Sequence, residues 1–98
     1  MPFNLILSRA LAKAGWKVKI RDQERLEEPH VTVIRGTGAW RIGLRNRGFL
    51  DAGKWKEFPH ALRRAIEENW EVLSKEWDAL YPNNPVGSAG EDANDKDG

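Results

Sequence analysis

Two rhythms of apolar residues alternate along the chain. Phe3, Leu7, Ala10, Leu11 and Ala14 recur at three- and four-residue steps. That spacing predicts a helix over 4–14, with Asn4 as its N-cap and Gly15 ending it in a left-handed conformation. The rhythm then changes to two. Trp16, Val18 and Ile20 alternate with Lys17, Lys19 and Arg21, the pattern of a half-buried strand with a uniformly cationic outer side. Residues 22–29 carry no period and end in Pro29, which reads as a loop. His30 to Arg35 predicts a second strand, with Val31 and Val33 inward and His30, Thr32 and Ile34 outward. Gly36-Thr37-Gly38 supplies a hairpin turn. Trp40, Ile42 and Leu44 against Arg41, Gly43 and Arg45 predict a third strand; after the Asn46-Arg47-Gly48 turn, Phe49-Leu50 is long enough for a short fourth.

The last element has the longest pattern. Leu62, Ile66, Trp70, Leu73, Trp77 and Leu80 keep to one helical face. Pro59 suits the first turn, and Arg63/Glu67, Arg64/Glu68 and Glu71/Lys75 are opposite charges four residues apart on the other side. A continuous helix over 59–80 would be about 33 Å long at 1.5 Å per residue. On that reading its end overhangs the sheet and offers Trp77, Leu80 and Tyr81 to a second subunit, giving a homodimer. Pro82 and Pro85 stop it. Residues 83–98, rich in Gly, Asn, Asp and Ala, have no apolar face and read as a disordered acidic tail behind a single domain at 1–82.

The expected fold class is therefore α+β: a helix, a three- to four-stranded antiparallel sheet and a long C-terminal helix, both helices on one sheet face. The other face would be wet. It would carry Lys17, Lys19, Arg21, His30, Thr32, Ile34, Arg41 and Arg45, provided the strand registers hold.

Charge sharpens this picture. Residues 1–66 contain 14 Lys/Arg against 6 Asp/Glu, and residues 67–98 contain 2 against 9, so the net +1 conceals a basic body and an acidic end. A basic body points to a polyanionic partner. The chain has no cysteine, which removes disulfides, thiol nucleophiles and thiolate metal sites and suits a reducing compartment. No apolar run approaches the roughly 20 residues that span a bilayer, and the first residues lack the pattern of a signal peptide. Cytoplasmic localisation is the expectation.

Candidate chemistry is sparse. His30, beside cations at a strand start, suits a general base on RNA, although a second group would be needed and His60 lies at the start of the long helix. His30 and His60 with Asp22, Glu28 or Asp51 lack metal-ligand spacing, and no metal or cofactor is expected. Gly36-Thr37-Gly38 lacks the continuation of a phosphate loop. Trp16, Trp40, Trp70 and Trp77 fall on apolar stripes, whereas Trp55, between Lys54 and Lys56, either stacks on a base or caps the core.

Glu28-Pro29-His30-Val31-Thr32-Val33, Ala39-Trp40-Arg41-Ile42-Gly43-Leu44, Gly48-Phe49-Leu50-Asp51 and a closing helix with Asn69-Trp70 and Glu76-Trp77 resemble a family of small bacterial proteins. That uncharacterised family has a Pro-His-x-His-Val strand, a short hairpin and a Trp-bearing C-terminal helix, and is associated with toxin–antitoxin-type loci. The element order is also similar to the double-stranded-RNA-binding-like fold of HicA-type messenger-RNA interferases. His30 matches the first histidine of the strand motif; Thr32 stands at the second. The resemblance implies a toxin–antitoxin component acting on RNA, with ribonuclease activity as one branch.

The function expected is thus RNA binding on the basic face. Lys17, Lys19, Arg21, Arg41 and Arg45 would contact phosphates, and Arg47, Lys54, Trp55 and Lys56 would extend the patch. The alternative is a protein-interaction module whose basic sheet or edge strand receives an acidic partner without catalysis.

Overall fold

Backbone pairing, more than helix propensity, organises the first twenty residues. The computed structural model describes residues 3–21 and 27–87. The described elements run β1 (Phe3–Asn4), α1 (Arg9–Lys13), β2 (Trp16–Ile20), β3 (His30–Arg35), β4 (Gly38–Gly43), a 3-10 turn (Trp55–Glu57), α2 (His60–Glu68) and α3 (Trp70–Leu80). The four strands form one antiparallel sheet in the order β1-β2-β3-β4.

The helix expected over 4–14 is shorter and starts later. Phe3 pairs with Ile20 and Asn4 with Lys19, and the Leu5 amide donates to the Val18 carbonyl at 2.8 Å. Phe3, Leu5 and Leu7 are half-buried while Asn4 and Ile6 are exposed, so this stretch follows a period of two. Its apolar residues fit both periods, and pairing with β2 decides between them. Ser8, not Asn4, is the N-cap of α1, its hydroxyl accepting from the Leu11 amide at 3.4 Å. Gly15 does follow α1 with a φ of +95°, the left-handed conformation that only glycine adopts cheaply.

Register places Trp16, Val18 and Ile20 of β2 on the same face as Val31 and Val33 of β3 and Trp40 and Ile42 of β4. Leu11 of α1, Leu62 and Ile66 of α2, and Trp70, Leu73 and Trp77 of α3 join them in one hydrophobic core. The helices thus share a sheet face, as the pattern predicts. Phe49 makes only an isolated bridge with Ile42, so the fourth strand is β1 and not Phe49-Leu50.

The long C-terminal helix is two helices. Asn69, at φ −110° and ψ 18°, lies between them, its side-chain amide donating to the Ala65 carbonyl at 2.8 Å. A short polar side chain that bonds its own backbone competes with the helix ladder, and the chain breaks there. The stripe survives the break: Leu62, Ile66, Trp70, Leu73 and Trp77 are all buried. The three expected charge pairs also form, Arg63–Glu67 at 3.0 Å, Arg64–Glu68 at 3.6 Å and Glu71–Lys75 at 3.5 Å.

Nor does α3 overhang the sheet. Trp77 is fully buried and Tyr81 nearly so, with their rings 4.2 Å apart. The Trp77 indole donates to the Asn84 carbonyl at 2.8 Å, and the Tyr81 hydroxyl donates to the Arg21 carbonyl. The apolar residues expected at a dimer interface are therefore used inside the chain. The same return ties down the start of the expected tail. Arg45 donates to the carbonyls of Pro85 and Val86 and to the Asn84 side chain, at 2.9–3.2 Å. The Val86 amide donates to Asp78 at 2.8 Å. Residues 84–86 of the expected tail thus contact the body of the chain; residues 88–98 lie outside the described residues, as does most of the 22–29 loop.

Candidate nucleic-acid interface

Residues 3–21 contain five Lys/Arg and no Asp or Glu. These cations lie on two successive elements, α1 and β2, and on the residue after β2. Arg9 and Lys13 lie one turn apart on α1, on the side away from buried Leu11. Lys17 and Lys19 alternate on the outer side of β2, and Arg21 follows at its end. Arg9, Lys13, Lys17 and Arg21 are exposed and Lys19 is half-buried. None of the five forms an ion pair with a described residue.

The arginines expected to share this surface are differently placed. Arg41 is held by two acids: its Nε and Nη2 donate to Asp51 at 2.7 and 2.8 Å, and its Nη1 donates to Glu27 at 2.8 Å. The bidentate bond to Asp51, then the charges of Asp51 and Glu27, raise the arginine's pKa against the opposing effect of burial. Asp51 is correspondingly held below the usual carboxylate range, first by that hydrogen bond and then by the charge of Arg41, against the opposing effect of burial. Arg45 is the clamp on residues 84–86. Arg47 lies over the Trp70 ring, 5.0 Å from its centroid, at a φ of 59°. The expected continuous patch is therefore divided, and Arg41 contributes little net charge to it.

His30 departs furthest from its expected position. It was expected to face outward; it is 0% exposed. Its ring lies 5.4 Å from that of Trp77, and its Nδ1–H donates to the Glu28 carbonyl at 2.8 Å, which leaves Nε2 3.8 Å from Glu27. Thr32, on the same register, is also buried between the long side chains of its cross-strand partners Lys19 and Arg41. At this end the second face of the sheet is covered. Gly43 shows how closely: a Cβ there would lie 2.8 Å from Asn46 Oδ1 and 3.1 Å from Leu50.

Trp55 caps the core. Its ring packs against Phe49 at 5.2 Å and Phe58 at 5.9 Å, with the Arg63 guanidinium over it at 5.1 Å. Lys54 and Lys56 on either side are exposed. His60 is exposed at the start of α2, and among the described residues no group of three His, Cys, Asp or Glu could hold a metal. Among them, too, no helix is long and apolar enough to cross a membrane.

Sequence reasoning missed Arg9 and Lys13, although the absence of acids from 3–21 was a usable signal. It also missed the Glu27–Arg41–Asp51 bridge, which no local pattern announces, because its members are 10 and 14 residues apart. Comparison with protein families, curated proteins and solved structures found no match.

Proposed function

We propose that this protein binds RNA through Arg9, Lys13, Lys17, Lys19 and Arg21. The observation that carries the reading is the concentration of five cations on α1, β2 and the residue after it, in a stretch with no acid and with no ion pair to a described residue. Cations in that state gain most from phosphate, because no ion pair with a described residue has to be displaced. Lysines and arginines without base-reading neighbours fix a polynucleotide by its backbone, so sequence selectivity is low. The reading is binding rather than cleavage. A ribose hydroxyl has no route to a histidine that is wholly buried against Trp77. Such a role suits a cytoplasmic protein, and it leaves room for a place in a toxin–antitoxin pair.

Five phosphate contacts give a slope of log affinity against log salt of about −3.5 on single strands, from about −0.7 per contact. Fluorescence anisotropy with a random 20-nucleotide RNA between about 50 and 200 mM salt measures it. Lys17→Glu combined with Lys19→Glu should weaken binding by at least tenfold and flatten the slope by roughly two contacts. A double variant that binds like the wild type would remove the interface from β2.

A further inference from the structure

Beside the cationic strip lies a cleft of about 410 Å³. It opens where the chain leaves β1 to enter α1, with Leu5, Leu7 and Ala12 along one side and Trp16, Lys17 and Lys19 of β2 along the other. Its size falls in the usual range of ligand clefts, about 300–1,000 Å³. Leu5, Leu7, Ala12 and Trp16 give it one apolar wall, and Asn4, Lys17 and Lys19 make the rest of its lining polar and cationic. The groove between α1 and α2 offers a contrast. It holds about 240 Å³, and Arg64 at its rim is already paired with Glu68 at 3.6 Å.

Resting on the RNA-binding reading, we infer that the ligand is single-stranded, with one unstacked base seated between Leu5, Leu7, Ala12 and the edge of Trp16 while its flanking phosphates lie on Lys17 and Lys19. Charge complementarity selects a polyanion, and the cleft selects among polyanions. A duplex keeps its bases stacked inward and presents only phosphates and groove edges, so it gains nothing from an apolar recess. A single strand can turn a base out of its stack and into the recess, at little cost and with little regard to which base it is. An acidic peptide adding as a strand is the other occupant of suitable charge. The sheet edge here disfavours it, since β1 is only two residues long and the Leu5 amide already occupies the Val18 carbonyl.

The test compares three probes of matched phosphate number on the full-length protein: single-stranded RNA, an RNA duplex of half that length, and inorganic polyphosphate. Ala12→Phe fills the cleft from an exposed helix position without changing charge, and Leu7→Gln makes its wall polar. The wild type should prefer the single strand by about five- to tenfold, a modest share of what one stacked base contributes. Both variants should erase that preference while leaving polyphosphate affinity unchanged; exposed Ala12→Phe should also keep the wild-type melting temperature, whereas Leu7→Gln, at a half-buried position against the core, should lower it. Equal binding of the three probes, unaffected by either variant, overturns the cleft and leaves phosphate binding standing. A Glu-rich peptide that outcompetes single-stranded RNA and loses affinity in Ala12→Phe overturns it in favour of a protein ligand. Binding of none of the probes at low salt refutes the RNA reading itself.

Discussion

Arg41 shows how a charge read from sequence loses its meaning in a fold. Alternation correctly places it on the outer side of β4, across from Thr32. What alternation does not see is Asp51, ten residues on, which returns to meet it through two hydrogen bonds. The same holds for His30, which takes the expected register yet is buried, because Trp77 from a distant helix lies against it. Single-residue chemistry is legible only where the partner is local, as with the charge pairs of α2 and α3. The Asp51 bridge carries a pH signature. Its carboxyl titrates lower in the folded chain than the ordinary value near 3.8, so the stability it contributes is present above that value and is lost as pH falls through the folded-state pKa. Asp51→Asn should therefore leave stability nearly independent of pH through this bridge, and acid unfolding curves below about pH 4 should be shallower than for the wild type. Superimposable acid limbs would deny the bridge any role in stability.

At the scale of elements, legibility follows the contrast between faces. β2 is unmistakable because lysine alternates with tryptophan, valine and isoleucine. In β3 the alternation gives the register but not the burial: His30, Val31, Thr32 and Val33 are all buried, so its outer side is covered as well. Residues 3–7 satisfy both periods, and there the long-range pairing with β2 overrides local preference. In the C-terminal pair the stripe was legible and the interruption was not, since Asn69 breaks the backbone without disturbing the spacing of Ile66, Trp70 and Leu73. Trp70 sits just past that break, buried, with its indole donating to the Leu44 carbonyl at 3.2 Å. Trp70→Ala should cost about 3–5 kcal/mol in urea unfolding, whereas exposed Glu71→Ala should change stability by less than about 0.5 kcal/mol. Comparable losses would mean that α3 presents another face to the core.

For the molecule as a whole, the basic sheet face expected from alternation is broken up, since Arg41 and Arg45 are engaged within the fold. The larger departure is the C-terminal return. Tyr81 reaches Arg21, and Asn84 donates to the Glu27 carbonyl at 2.7 Å, so one short segment holds both flanks of the 22–26 connection. Together with the β2–β3 ladder, those contacts join the two flanks without passing through that connection. If those contacts carry the join, peptides 1–21 and 27–98, made separately and mixed in equal amounts, should reassemble, recovering tryptophan fluorescence and a cooperative melt that neither shows alone. Fragments that stay apart at tens of micromolar would show that the return only decorates a fold held by chain continuity. Reassembly would make this small domain a two-piece reporter, in which the cationic α1–β2 unit is exchanged as a cassette without remaking the rest.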